Sequence, residues 1–229
     1  MRRGGGVRGG KRLLLSLAGG VVLMLVLAQV LLPRIAESMI SSRVGRYGNV
    51  RSVSVSAWPA VKLLWGSVDS VRVRAGSISM SPEQAAKLLW EGRGAARMDV
   101  TAEHVLVGGL ALSDATVSMR GSALRGVAHA GEAAVRAALP PGFDVRLLKS
   151  EGGAVEVQAS GGLFGVGATV DAVALAREGK LVAHPLGLPL EGLQLTLFSD
   201  GHVYVEGVGA RAEGAQRLSY RLTMRASLR

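Results

Sequence analysis

Four histidines, His104, His129, His184 and His202, are the side chains best suited to hold a metal or move a proton near neutral pH. They lie far apart in the chain, and none has the HExxH spacing that puts two ligands on one helix face. His129 and Glu132 would share a face only if that stretch is helical, and an exposed pair is the plain reading. There is no cysteine, which excludes disulfides, zinc ribbons and a thiol nucleophile. Neither a GxSxG elbow nor a GxxxxGK[ST] phosphate loop occurs. The stretch "GVGARA", residues 207 to 212, has the spelling GxGxxA, yet "EGAQRLSYRL" follows it and reads as a turn and a strand. A dinucleotide site needs a helix N-terminus there to receive the pyrophosphate. The 17 acidic residues fall mostly on polar strand positions and no pair stands out for glycoside chemistry. The expectation is therefore no catalytic residue, no metal and no cofactor.

The elements that carry these residues are read from periodicity. In "RLSYRLTMRASLR", residues 217 to 229, Leu218, Tyr220, Leu222, Met224, Ala226 and Leu228 alternate with Arg217, Ser219, Arg221, Thr223, Arg225, Ser227 and Arg229. That is a strand with one apolar and one polar face, about twice the usual length. Similar alternation marks Val53, Val55 and Ala57; Val71, Val73 and Ala75; Met98, Val100 and Ala102; Ala115, Val117 and Met119. Phe143, Val145 and Leu147 precede the "SEGG" turn, and Val155, Val157 and Ala159 answer as a hairpin partner. "REGK" joins "LFGVGATVDAVALA" to "KLVAHP" in the same way, and Leu193, Leu195 and Leu197, then Val203 and Val205, lead into the last strand. "SPEQAAKLLW" starts a helix with Ser81 as cap, Pro82 at the first position and Gln84 closing a capping box. Residues from about Leu124 to Leu139 read as helical and end at Pro140, Pro141 and Gly142. About ten strands with two or three helices predict an α+β fold dominated by a mostly antiparallel sheet.

"LLLSLAGGVVLMLVLAQVLL", residues 13 to 32, carries no charge, and as a helix it matches a hydrocarbon core of about 30 Å. No clean A-x-A site follows, so an uncleaved signal anchor is expected. Arg2, Arg3, Arg8, Lys11 and Arg12 precede it, which places the amino end in the cytoplasm and the domain outside. The organisation is then a basic tail at 1–12, a transmembrane anchor at 13–32 and an extracytoplasmic domain at 33–229. "PRIAESMISSRVGRYG" continues as a short amphipathic helix through Ile35, Met39, Ile40 and Val44.

The net charge of +10 suggests nucleic acid at first sight, but five of the positive charges sit in the tail. The remainder are scattered over strand faces, and no nucleic-acid partner is expected. Arg217, Arg221, Arg225 and Arg229 form the one stripe, read as a solvated outer face or, alternatively, as a contact for anionic lipid head groups or wall polymer. Trp58 and Trp65 bracket "PAVKLL" close to the anchor; they either plug one end of the core or sit at a membrane interface with Leu63 and Leu64 dipping below.

The order of charged tail, membrane span, short helix and "VSVSAWPAVKLLWGSVDSVRVRAG" resembles the start of the LmeA-like phospholipid-binding proteins of actinobacterial cell envelopes. "LFGVGATVDAVALAREGKLVAHPLGLPLEGLQL" looks like the closing half of that family. The resemblance covers roughly residues 34 to 210, and its motifs are loose patterns. It implies a long curved sheet wrapped around one or two helices, with lipid on the apolar face. The expected lipid-binding residues are Leu218, Tyr220, Leu222, Met224 and Leu228; the expected membrane-interface residues are Trp58, Leu63, Leu64 and Trp65. The expected partners are phospholipid or a lipid-linked envelope precursor and the membrane itself. The alternatives are that the helix near 124–139 fills the groove and leaves it dry, so that the chain is a structural envelope protein, or that it is an enzyme acting on envelope lipids.

Overall fold

The computed structural model describes residue 29 and residues 31–65, 67–139, 141–163, 166–187, 194–213 and 219–229. Helix α1 occupies residues 31–44. After a 3-10 turn at Gly45–Tyr47 come β1 (Gly48–Ser56), a 3-10 segment at Ala60–Trp65, β2 (Ser70–Met80) and α2 (Pro82–Glu91). A turn at Gly92–Gly94 leads to β3 (Arg97–Val107), β4 (Leu110–Arg120), β5 (Ala123–Gly131) and α3 (Glu132–Ala137). The remainder is strand: β6 (Phe143–Glu151), β7 (Ala154–Leu163), β8 (Val166–Arg177), β9 (Lys180–Leu186), β10 (Leu195–Phe198), β11 (Val203–Glu213) and β12 (Ser219–Leu228).

The expected α+β fold, one sheet around one or two helices, is not what forms. The twelve strands make two sheets, one ordered β1-β2-β3-β4-β5-β12-β11 and the other β10-β9-β8-β7-β6, so the protein is predominantly β. Among the described residues no helix is long and apolar enough to cross a membrane. The charge-free run at 13–32 lies outside them except for residues 29, 31 and 32.

The largest correction falls at 124–139, where strand β5 takes the first half and α3 keeps only six residues. Leu124, Gly126, Ala128 and Ala130 satisfy a period of two as well as a helical one, because small residues suit either. β5 lies between β4 and β12, which pair with both of its edges, and that tertiary hydrogen bonding overrides local helix propensity. A six-residue helix that touches β4, β5 and β6 does not fill a groove.

β2 and β3 are parallel and α2 is their crossover. Its start is the expected capping box: the Gln84 N–H donates to Ser81 Oγ at 3.3 Å and the Ser81 N–H to Gln84 Oε1 at 2.8 Å. Ala86, Leu89 and Trp90 of α2, with Ile40 and Val44 of α1, pack on Val71, Val73, Met98, Met119, Leu124, Ala226 and Leu228 of the first sheet. A second cluster joins Ala75, Ile78 and Ala102 to Tyr47, Met80 and Val105.

Between these clusters the inward residues of several strands change parity at one level. Arg51, Gly76, Glu103 and Asp114 drop out of the pairing of β1 to β4, and Asp114 takes a positive φ of 49°. Each strand thus carries one extra residue at the same height, so the apolar side chains return to the same face beyond it. Arg51 pairs with Glu103 through both terminal guanidinium nitrogens, at 2.5 and 2.6 Å. A Cβ on Gly76 would lie 3.2 Å from Arg51 Nε.

The two sheets meet at β11. Its otherwise free edge donates Val205 N–H to Gly179 O at 2.9 Å, Val208 N–H to Gly153 O at 3.0 Å and Ala210 N–H to Ser150 Oγ at 2.9 Å. The β6–β7 and β8–β9 hairpin tips therefore satisfy backbone groups that would otherwise offer an edge for aggregation.

Candidate functional site

The residue register around β12 defines the site. Met224, Leu222 and Tyr220 pair with Gly126, Ala128 and Ala130 of β5 on one side and with Val208, Ala210 and Ala212 of β11 on the other. Long side chains on the middle strand thus stand as a ridge between two rows of mostly small ones. Side chains directly opposite on neighbouring strands are about 5 Å apart; the β11 row is partly exposed and leaves a shallow channel beside the ridge, whereas Ala128 and Ala130 on the β5 side are buried.

Burial divides the strand. Leu228 is 9% exposed and Ala226 is 2% exposed, both beneath the helices, whereas Tyr220, Leu222 and Met224 are half-exposed on the same face. The expected lipid-binding residues are accordingly not equivalent: Leu228 is core, the other three line an open apolar surface, and Leu218 lies outside the described residues.

The second sheet carries a further apolar face. Val155, Val157 and Ala159 of β7 pair with Ala174, Ala172 and Val170 of β8, and Ala174 and Ala172 pair with Ala183 and Pro185 of β9. All of these residues are half-exposed and none is buried. Period-two alternation in both hairpins was the signal available for it.

At the opposite end, Trp58 and Trp65 are 73% and 74% exposed, so they do not plug the core. Leu63 is half-buried; the side chain of Leu64 lies outside the description. The Trp58 N–H donates to Asp69 Oδ2 at 2.5 Å, and the Ala60 N–H donates to Gln29 Oε1 at 2.9 Å. The second bond ties the tryptophan segment to Gln29, just before α1. On α1, Leu31, Ile35 and Met39, spaced i, i+4 and i+8, are each more than half exposed and form an apolar stripe.

The histidines are not brought together. His129 sits on β5, with Nε2 3.3 Å from Glu213 Oε2 rather than beside Glu132, and its Nδ1 is buried without a partner. His202 is 3.4 Å from Asp200 and packs against Trp90 with ring centroids 4.8 Å apart and the planes tilted by 41°. Among the described residues no group of three or more His, Cys, Asp or Glu could hold a metal ion. "GVGARA" lies within β11, which pairs antiparallel with β12, so no helix N-terminus follows it.

A cavity of about 620 Å³ opens at the far end of the second sheet between Arg136, Phe143, Asp144, Gly161 and Thr169. Arg136 there is 2.8 Å from Glu132 and 3.6 Å from Asp144, which leaves little uncompensated charge for a ligand. The chain matches no protein-family model, no curated protein and no solved structure.

Proposed function

We propose that this chain is a lipid-binding protein of the bacterial cell envelope, similar to the LmeA-like proteins, held at the membrane by residues 13–32 with its folded part on the outer side. The acyl chains of a phospholipid or lipid-linked precursor lie in the channel between β11 and Tyr220, Leu222 and Met224, and no catalytic step is involved. One observation carries this reading: these three side chains are half-exposed on a face that is otherwise apolar, while Ala226 and Leu228 of the same strand are buried. Covering apolar surface contributes about 25 cal/mol per Å², so each 100 Å² hidden by an acyl chain favours binding by roughly 2.5 kcal/mol.

The exposed tryptophans support the membrane side of the proposal. If residues 13–32 span a bilayer, Gln29 lies about one helical turn inside its outer boundary, and the bond to Ala60 holds Trp58 and Trp65 near that depth. Indole rings favour the head-group region, and the Leu31, Ile35 and Met39 stripe extends the apolar surface along α1.

The test is photo-crosslinking of the full chain in nanodiscs that contain a phospholipid with a diazirine in its acyl chain. Crosslinked peptides are expected both in residues 58–65 and in β11 and β12. Crosslinks confined to residues before 66 would leave membrane attachment standing and refute the lipid site, in favour of a structural envelope protein.

A further inference from the structure

The face of the first sheet opposite its apolar core concentrates arginine in a way that the sequence stripe only hinted at. Register places Arg97 directly across from Arg120, Arg125 across from Arg225, and Arg211 across from Arg221. Arg72 and Arg74 extend the same face on β2. All eight side chains are exposed, and among the described residues none is within ion-pair distance of a carboxylate. Of the nearby carboxylates, Glu103 is taken by Arg51, Glu213 by His129 and Glu151, which lines a cavity with Arg125 and Arg225, by Lys149; Asp99, directly opposite Arg72, Asp114 and Glu206 remain.

Like charges directly opposite on neighbouring strands destabilise a sheet. Three such pairs without a neutralising carboxylate are a cost that a bound anion removes. Guanidinium groups also present a fork that grips phosphate or carboxylate oxygens in pairs. From Ser227 to Arg221 the patch runs six residues, roughly 20 Å, along the strands, and from β2 to β11 it is about 24 Å wide.

We propose that this face binds an extended polyanion, a chain polymer with regularly repeated phosphate or carboxylate groups. The alternative, anionic lipid head groups, fits the geometry less well. Trp58 follows the end of β1, where Ser56 pairs with Ser70; Arg97 and Arg120 stand at that level, Arg72, Arg125 and Arg225 two residues beyond it, and Arg74, Arg211 and Arg221 farther still. A bilayer against the tryptophans therefore meets one end of the patch, while a polymer reaches all of it. This choice rests on the tryptophan end facing the membrane; the arginine cluster itself does not.

The experiment uses the full chain in phosphatidylcholine nanodiscs titrated with fluorescent long-chain inorganic polyphosphate. Its parallel arm measures flotation with phosphatidylglycerol vesicles. Binding to polyphosphate is expected, weakening by about tenfold in Arg125→Gln/Arg225→Gln and again when Arg211→Gln/Arg221→Gln is added, with a shallower salt dependence each time. Neutralising Arg2, Arg3, Arg8, Lys11 and Arg12 should leave it within about twofold. Melting temperatures of the face variants should not fall, since the substitutions relieve repulsion; a fall would show that the arginines serve the fold and would overturn the proposal. Polymer affinity unchanged in the face variants, or lost only with the tail, would also overturn it. So would arginine-dependent binding to phosphatidylglycerol vesicles without binding to polyphosphate, which would assign the face to the membrane. Acyl-chain crosslinking at β12 is independent of every one of these results.

Discussion

Leu222 and Leu228 stand on one face of one strand, six residues apart, and the lipid proposal requires that they respond differently to the same truncation. Leu228 is 9% exposed and packed in the cluster that includes Leu124, Val203 and Ala226, so Leu228→Ala leaves a cavity and should cost about 2 to 5 kcal/mol. Leu222 is partly exposed between buried Ala128 and partly exposed Ala210, and its truncation opens onto the surface on the β11 side. Full burial of a leucine is worth about 1.5 to 3 kcal/mol, so a half-buried one should lose roughly 1 kcal/mol with no cavity added. At about 2 to 4 °C per kcal/mol for a chain of this size, the melting temperature should fall by roughly 4 to 20 °C for Leu228→Ala and by about 2 to 4 °C for Leu222→Ala. Retained lipid should move in the opposite order. Mass spectrometry of organic extracts from purified protein should show less lipid per chain in Leu222→Ala than in Leu228→Ala, normalised to folded protein. Equal destabilisation by the two substitutions, with unchanged lipid content, would refute the division of β12 into a covered and an open half.

Two further predictions concern the frame that holds this face. The Ser81 side chain, hydrogen-bonded to Glu83, holds that carboxyl below the usual carboxylate range. A depressed folded-state pKa contributes stability that is present above the unfolded pKa and lost as pH falls through the folded one. Ser81→Ala should therefore raise the Glu83 pKa in an NMR titration; separately, loss of the cap bond that Ser81 Oγ accepts from the Gln84 N–H should lower stability by about 1 kcal/mol. Gly179, at φ 80° in the β8–β9 tip, has no room for a Cβ against the Tyr204 ring. Gly179→Ala should lower the denaturant midpoint by the equivalent of about 1 to 3 kcal/mol, and an unchanged midpoint would show that the tip does not hold the β11 edge.

Much of the local structure was legible because it obeys local rules. Alternation placed the strand at 219–228 and assigned its faces, "SEGG" and "REGK" marked hairpins that form, and Ser81, Pro82 and Gln84 marked the helix start. The parity changes at Gly76, Glu103 and Asp114 were also present in the residue order, since the apolar positions switch from odd to even on β2, from even to odd on β3 and from even to odd on β4. Their alignment at one level was not, because it depends on which strands become neighbours. The stretch at 124–131 was misread for a related reason: small residues leave its own preference weak, and the hydrogen bonds that decide it come from β4 and β12, the latter about a hundred residues away.

The sequence by itself determined which side chains share a face, because the backbone repeats every two residues and the side chains follow it. It determined that β12 has one apolar and one basic face, and that Trp58 and Trp65 lie near the amino-terminal apolar run. Only the tertiary structure decided that Leu228 is covered while Leu222 stays open, and that the arginines of β12 meet those of β5 and β11. Coverage depends on where α1 and α2 come to rest, and opposition depends on register between strands distant in the chain. Both are set by packing of whole elements, which no local period encodes.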